Sequence, residues 1–327
     1  MGMAMRTLGR SGIQVSPMGM GCWAIGGPYR AGDQPLGWGE VDDEESVRAL
    51  RRALDLGVTF FDTANVYGAG HSERIVGRAL AGRRDEVVVA TKFGNVFDEA
   101  SRQHLGTDVS PEHVASACEA SLQRLGTDRI DLYQLHISVL PDDQAVPIRD
   151  ALEGLVDRGL VRAYAWSTDD PRLAGLFAEG PHCTAVQHEL NVLNDAPEML
   201  AVCDRLDLAS VNRTPLAMGL LTGKFSADSR LPQDDVRGKE PEWMRYFKDG
   251  RPVPEWLDRL AAVREVLTSQ GRSLVQGALA WIWARSDRTV PIPGVRTVRQ
   301  VEENAAAMQA GPLTADQVAE IDHLLGR

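Results

Sequence analysis

The sequence predicts an α/β fold, a (β/α)8 TIM barrel, and three observations carry that prediction. Eight short apolar runs rich in β-branched residues alternate with helical patterns along the chain. The length of 327 residues suits a single barrel, so we expect one domain over residues 1–327. Polar residues end several of the runs, as they do where barrel strands reach the face that carries chemistry.

The eight apolar runs are predicted as strands. They cover residues 18–21, 58–61, 87–91, 130–136, 161–167, 184–187, 209–213 and 289–292. Eight strand–helix units in a chain of this length favour a barrel over an open doubly wound sheet.

Polar capping residues mark where helices start between these strands. The starts fall at Asp42 with Glu45, at Ser110 with Pro111, and at Thr314 with Gln317. Gly57 and Gly126 are expected to end the first two helices. Trp281 and Trp283, in the helical run LVQGALAWIWAR, are interpreted as packing residues.

Two segments stand outside the repeating pattern. The stretch MRTLGRSGIQVS is predicted to be a β-hairpin around Gly9 and Gly12 that plugs the N-terminal end of the barrel. Residues 214–254 form a long loop after strand seven, and loops of that length are usually functional or disordered. This loop would lie on the face where barrel enzymes do their chemistry.

The net charge, the lack of long apolar segments and the cysteine pattern exclude several classes of binding partner. The net charge of -11 disfavours binding to nucleic acid or to an anionic membrane, and no segment approaches the ~20 apolar residues of a membrane span. The four cysteines form no C-x-x-C or Cys/His cluster, so we expect reduced thiols, a cytoplasmic location and no metal.

Four side chains at strand ends stand out as a candidate catalytic set. Asp62 ends strand two and Tyr67 follows in its loop (FFDTANVYGAGHS), Lys92 ends strand three, and His136 ends strand four. Taken singly, each residue has an ordinary structural interpretation. Asp62 could cap the next helix, Tyr67 could be a loop aromatic, Lys92 a solvated charge and His136 a structural histidine. Together they occupy matched positions, so we interpret them as one site.

The chemistry of these four residues fits proton donation to a carbonyl oxygen. A tyrosine has a pKa of about 10, and a nearby ammonium lowers that value, so we expect Lys92 to lower the pKa of Tyr67. Asp62 would hold Lys92, and His136 would hydrogen-bond the substrate oxygen or relay the proton. No side chain supplies hydride, so carbonyl reduction requires a cofactor.

Five motifs give the chain a resemblance to the aldo-keto reductase superfamily over essentially its whole length. They are FFDTANVYGAGHSERIVGRAL, VATKFGN, DLYQLH, TPLAMGLLTGKF and PIPGVRTVRQVEEN. The resemblance maps the family's catalytic tetrad onto Asp62, Tyr67, Lys92 and His136. It implies an NADPH-dependent oxidoreductase that reduces aldehydes or ketones to alcohols, with Tyr67 as general acid and no metal.

The resemblance also implies which residues bind NADPH or NADP+ across the barrel mouth. The carboxamide would be held by Ser167, Thr168 and Gln187, the pyrophosphate by Leu216, Gly219, Leu221, Gly223 and Lys224, and the adenosine end by Gly294, Arg296, Gln300 and Asn304. Two positions depart from the family pattern: Thr168 replaces an asparagine, and Arg213 replaces an aromatic. We hypothesise that the planar guanidinium of Arg213 packs on the nicotinamide.

The substrate would be a small carbonyl compound between apolar walls. Trp23 is assigned to both the substrate and the cofactor, and further walls are predicted from Trp38, Phe93, Trp243, Tyr246 and Phe247. The last three residues have the alternative role of anchoring their loop. Asp234, Asp235 and Arg237 are hypothesised to gate cofactor release.

Two other functions stay in view. Some relatives of this fold are auxiliary subunits that sense the cofactor with little turnover, and an intact tetrad is compatible with that role. A metal-dependent hydrolase would need several His or carboxylate ligands at strand ends, where we find one histidine and one aspartate. We expect a monomer or a small homo-oligomer.

Overall fold

A computed structural model describes residues 3–239 and 241–327. The first two residues of the predicted domain, and Glu240 in the predicted long loop, lie outside the described residues. Eight parallel strands form the central sheet, and each pairs with the strands that precede and follow it in the sequence. They are β1 (Gly19–Gly21), β2 (Phe60–Asp62), β3 (Val88–Phe93), β4 (Ile130–Leu135), β5 (Val161–Ser167), β6 (Cys183–Glu189), β7 (Ala209–Arg213) and β8 (Thr289–Pro291).

All eight predicted strands are therefore confirmed. The sheet nearly closes on itself, because Gly21 lies beside Gly294 in a parallel bridge and its amide donates to the Pro293 carbonyl at 3.1 Å. A side chain at Gly21 would place its Cβ 2.7 Å from the Ile292 carbonyl oxygen, so only glycine permits this close approach.

Ten α-helices are described around the sheet. They are α1 (Asp43–Asp55), α2 (His71–Leu80), α3 (Pro111–Leu125), α4 (Asp142–Asp157), α5 (Pro171–Phe177), α6 (Pro197–Leu206), α7 (Pro254–Thr268), α8 (Leu274–Arg285), α9 (Val298–Ala310) and α10 (Ala315–Leu325). The predicted caps are confirmed: Asp42 and Ser110 accept backbone N–H groups, and Thr314 forms a capping box with Gln317. No helix in the described ranges is long and apolar enough to cross a membrane.

The N-terminal hairpin plugs the barrel as predicted. Its strands, Arg6–Thr7 and Gln14–Val15, pair antiparallel. Leu8, Ile13 and Val15 are buried in one apolar cluster with inward-facing strand residues such as Val88 and Leu132. This cluster fills the barrel interior, so the open end for a ligand is the opposite one. Trp281 and Trp283 are buried in the outer core as predicted.

Two features at the mouth were not predicted as secondary structure. The long loop after β7 contains a 3-10 segment, Ala217–Thr222, and a short antiparallel pair, Phe247–Lys248 with Arg251–Pro252. The loops after β1 and β3 join in a four-stranded accessory sheet. Its strands are Arg30–Ala31, Gln34–Pro35, Asn95–Asp98 and Gln103–Thr107. The sheet consists of two local hairpins that are joined by one pairing between segments distant in sequence, Arg30 with Gln103. Its short strands carry no apolar alternation that would mark them.

Candidate active site

The structure brings the four predicted catalytic residues together at the mouth. The Lys92 Nζ donates to Asp62 Oδ2 at 2.6 Å and to the Tyr67 hydroxyl at 3.2 Å. The rings of Tyr67 and His136 meet edge to face with centroids 5.8 Å apart. Because the Tyr67 oxygen accepts from Lys92, its own proton is free to be donated to a ligand.

Asp62 is held by two side-chain amides: Gln134, which was not predicted, and Gln187, which was predicted to hold the cofactor carboxamide. The side chains of Gln134 and Gln187 each donate to Asp62 Oδ1 at 2.8 Å, while Oδ2 receives Lys92. Gln134 lies two residues before His136 on β4, so it points into the barrel on the same face. The alternation of side chains along a strand, with a period of two residues, is the sequence signal that identifies Gln134.

Hydrogen bonds and a close backbone contact hold the loop that carries Tyr67 in place. The Gly70 amide donates to the Asn65 carbonyl at 2.7 Å, and Ser72 Oγ donates to the Cys22 carbonyl at 2.8 Å. A Cβ at Gly68, whose φ is +63°, would lie 1.8 Å from the Gly26 carbonyl oxygen. The glycine beside Tyr67 therefore lets two loops touch, and this contact fixes the position of the phenol.

The electrostatics of Tyr67 correct one expectation. Loss of water around the phenol raises the pKa of Tyr67 above its ordinary value, and the charge of Lys92 opposes this rise without reversing it. The expected net lowering by Lys92 was therefore wrong. Burial disfavours the charged form of Lys92, but Asp62 and Tyr67 outweigh burial and hold the pKa of Lys92 above its usual range. At neutral pH the site thus presents a protonated phenol beside an ammonium.

His136 is neutral in this setting. Burial and the charges of Lys92 and Arg213 hold the pKa of His136 well below its ordinary value. A neutral imidazole donates one N–H, so of the two predicted roles the arrangement favours a hydrogen bond to a ligand oxygen over relay of a proton from imidazolium. The Nδ1 atom is buried and has no hydrogen-bond partner among the described residues.

Three tryptophans form the apolar wall beside Tyr67. Trp23 stacks on Tyr67 with centroids 6.0 Å apart, Trp38 meets Trp23 edge-on at 5.1 Å, and Trp243 lies 6.0 Å from Trp23. Trp243 is 52% exposed although it belongs to a loop with a buried anchor. The exposed ring of Trp243 therefore extends the apolar wall formed by Trp23 and Trp38 to the surface.

Three of the predicted substrate walls lie elsewhere. Phe93 is fully buried and packs on Tyr133 at 4.6 Å, because Lys92 points into the barrel and the next side chain on a strand points out. Tyr246 and Phe247 are also buried, so they anchor the long loop, as the alternative interpretation had it.

The predicted carboxamide residues lie at the ends of β5 and β6. Ser167 and Thr168 are buried, and the Thr168 hydroxyl donates to the Ser138 carbonyl at 2.7 Å. Gln187 Nε2 is committed to Asp62 and Gln134. The hydroxyl of Thr168 is therefore engaged with the protein backbone.

Cationic side chains collect at the other end of the mouth. Lys224 and Arg237 both lie against the Phe225 ring, and Arg237 and Arg296 both contact Trp38. Burial and the charges of Arg237 and Arg296 lower the pKa of Lys224. Arg237 is buried, where it pairs with Asp235 at 2.6 Å and donates to the Met218 carbonyl at 3.0 Å. Such a concentration of donors and positive charge suits phosphate groups.

The other predicted cofactor residues lie in the loop after β7 and in the segment after β8. Gly219 lies inside the 3-10 segment, Gly223 directly follows it, and Gly294 follows β8. The side chains of Leu216 and Leu221 pack into the core, and the Leu216 carbonyl accepts the Gly219 and Leu221 amides. Gln300 accepts from the Arg296 amide at 2.7 Å, and Asn304 is buried beside Val301 in a small cavity.

Two loops meet over the mouth and form what we call the strap, residues 37–39 with 234–239. The Val236 amide donates to the Gly37 carbonyl at 2.9 Å, and the backbones of Trp38 and Asp235 form an isolated antiparallel β-bridge. The Arg237 guanidinium lies 4.5 Å from the Trp38 ring centre. Among the residues described here, no group of three or more His, Cys, Asp or Glu side chains is placed to hold a metal ion.

Comparisons with known proteins agree with this geometry. Residues 17–325 match the sequence model of the Aldo/keto reductase family. The chain is 33% identical over 300 residues to the aldo-keto reductase YhdN of Bacillus subtilis, covering 89% of this chain and 85% of that protein.

Solved structures give the same result. A glycerol dehydrogenase from Gluconobacter oxydans is 30% identical with a TM-score of 0.81, covering 99% of this chain and 95% of its own. An aldo-keto reductase from Klebsiella pneumoniae in complex with NADPH is 26% identical with a TM-score of 0.69, covering 99% and 96%.

Proposed function

The chain belongs to the aldo/keto reductase family, and on that premise we propose that it is an NADPH-dependent reductase of aldehydes or ketones with Tyr67 as general acid. The observation that carries the proposal is the contact of Lys92 Nζ with both Asp62 and the Tyr67 hydroxyl, at 2.6 and 3.2 Å. The proton donor Tyr67, the cation Lys92 that stabilises its phenolate, and the counter-ion Asp62 are therefore in direct contact at the mouth.

The residues of the site would act on the substrate oxygen. Tyr67 donates its proton as negative charge develops there, and the neighbouring Lys92 ammonium stabilises the phenolate left behind. Neutral His136 donates a hydrogen bond to the same oxygen, which fixes the carbonyl against the tryptophan wall. NADPH, when bound, supplies the hydride.

The chain's donors fit such a cofactor. Lys224, Arg237 and Arg296 would hold its phosphates close to the start of α9, where the Val298 amide already donates to the Glu45 carboxylate at 2.9 Å. Arg237 belongs to the strap, and Arg296 contacts Trp38 of the strap, so Asp235 and Arg237 would separate from Trp38 when the cofactor enters or leaves. Ser167, Gln187 and Arg213 would border the nicotinamide end. The proposal includes the predicted cytoplasmic location and the predicted monomeric or small homo-oligomeric state.

The pH profile of reduction should show no alkaline fall until the pH exceeds 10. A general acid works only while protonated, so activity is lost as pH rises through the pKa of Tyr67, and burial has raised that pKa above the ordinary value for a tyrosine. Steady-state kcat/KM of the wild type measured between pH 6 and about 10.5 checks this. A fall centred near neutral pH would contradict the assigned acid.

The cofactor-sensing alternative is not favoured, because the relatives described above are named as reductases or dehydrogenases. The two functions separate in one assay: NADPH oxidation on a panel of aldehydes beginning with 4-nitrobenzaldehyde. Turnover supports the reductase. Tight NADPH binding with negligible turnover across the panel supports the sensor.

A further inference from the structure

Arg213 is held by carboxylates from two neighbouring strand ends. Its guanidinium pairs with Asp169, which follows β5, and lies 3.8 Å from the carboxylate of Glu189 at the end of β6. Asp169 Oδ1 also accepts the Glu189 amide at 2.8 Å. Three adjacent strands thus end in one ion cluster, defined here as Asp169, Glu189 and Arg213.

Glu189 is the buried member of the ion cluster. Its side chain is only 9% exposed, it accepts the Tyr246 hydroxyl, and it lies 3.8 Å from the guanidinium of Arg245. Asp169 is about half exposed. With Arg245 included, two carboxylates face two guanidiniums, so the group is close to electrically balanced. The neighbouring His188 is neutral, because burial lowers its pKa to about 4.

The ion cluster borders the reacting centre. Arg213 pairs in register with Glu189 on β6, two residues beyond the Gln187 that holds Asp62. Its charge opposes the burial-driven rise in the pKa of Tyr67 and helps to lower the pKa of His136, so its field reaches the proton donor. Under the proposed function, the reacting end of the cofactor must lie within this field, because hydride and proton arrive at the two atoms of one carbonyl.

The two states of that cofactor differ in charge at its reacting ring. The oxidised nicotinamide carries a positive charge and the reduced ring is neutral. A bare guanidinium beside the ring would repel only the oxidised state, and this repulsion weakens when carboxylates flank the guanidinium.

We propose that Asp169 and Glu189 balance the charge of Arg213 so that the site tolerates the oxidised cofactor, and that this balance sets the ratio of NADP+ to NADPH affinity. The inference rests on the proposed function. It assigns Asp169 and Glu189 as positioning and charge-balancing residues, which act through Arg213.

The test is titration of the full-length protein with NADPH and with NADP+ at one ionic strength, followed by intrinsic fluorescence. In Asp169→Asn and in Glu189→Gln we expect the Kd for NADP+ to rise about three- to tenfold, with the Kd for NADPH changed by less than about twofold. Because Glu189 is buried and Asp169 is half exposed, the larger effect is expected for Glu189→Gln. Arg213→Gln should shift the ratio of the two Kd values the opposite way.

Asp142 offers a matched control. It pairs with Arg172 at 2.7 Å in an exposed pair, so Asp142→Asn should leave the ratio unchanged. Equal weakening of both cofactor forms in the Asp169 and Glu189 variants would show a merely structural role and overturn the inference. So would an equal shift in the control. Failure of the wild type to bind either form would instead overturn the proposed function itself.

Discussion

Replacing Tyr67 with Phe should lower kcat for carbonyl reduction by about two to four orders of magnitude. The substitution removes the hydroxyl that accepts from Lys92 at 3.2 Å but keeps the ring that Trp23 packs against. The cationic residues proposed to bind phosphate are untouched, so the Kd for NADPH should change by less than about twofold. Steady-state NADPH oxidation and fluorescence titration measure the two quantities.

Tyr29 provides the control for this experiment. It is a buried tyrosine at the accessory sheet whose hydroxyl hydrogen-bonds His104 Nδ1 at 3.0 Å. Tyr29→Phe removes a hydroxyl of the same kind away from Lys92, so it should retain most of the turnover. If Tyr67→Phe kept more than a third of wild-type kcat, another group would have to be the acid.

Asp62→Asn should be the most destabilising single change at the site, lowering the free energy of unfolding by about 3–5 kcal/mol. Lys92 is fully buried and Asp62 nearly so, and their contact at 2.6 Å compensates the buried ammonium. Removing the carboxylate leaves that charge without its partner. Urea unfolding followed by circular dichroism measures the loss, and carbonyl reduction should fall with it.

A double variant separates the buried charge from simple loss of packing. Asp62→Asn combined with Lys92→Met removes both charges, so it should be more stable than Asp62→Asn alone. The exposed pair of Arg158 and Glu119, at 2.8 Å, serves as reference, and Glu119→Gln should cost less than about 1 kcal/mol. A double variant less stable than Asp62→Asn would rule out the buried charge as the cause.

The sequence was sufficient for the barrel and for the convergence of the tetrad. Apolar runs that end in a polar residue carry both pieces of information, since the run defines the strand and its end defines the mouth. Asp62, Lys92 and His136 were found in this way, and Tyr67 by its place in the loop that follows. The ion cluster obeys the same rule, because Glu189 ends β6 and Asp169 closely follows the end of β5.

The errors have two physical origins. Phe93 was predicted at the mouth, but the alternation of side chains along a strand places it on the opposite face from Lys92, where it is buried. The pKa direction of Tyr67 and the accessory sheet depend on contacts between segments distant in sequence. Loss of water around a phenol is set by which loops close over it, and no local pattern records that.

Isotope transfer tests the central claim most directly. The wild-type protein is mixed with NADPH deuterated at the transferable position of the nicotinamide and with 4-nitrobenzaldehyde, and the alcohol is examined by mass spectrometry. The account predicts one deuterium at the carbinol carbon, with product lost in Tyr67→Phe. An alcohol without deuterium, or tight NADPH binding with no alcohol from any carbonyl tested, would contradict it.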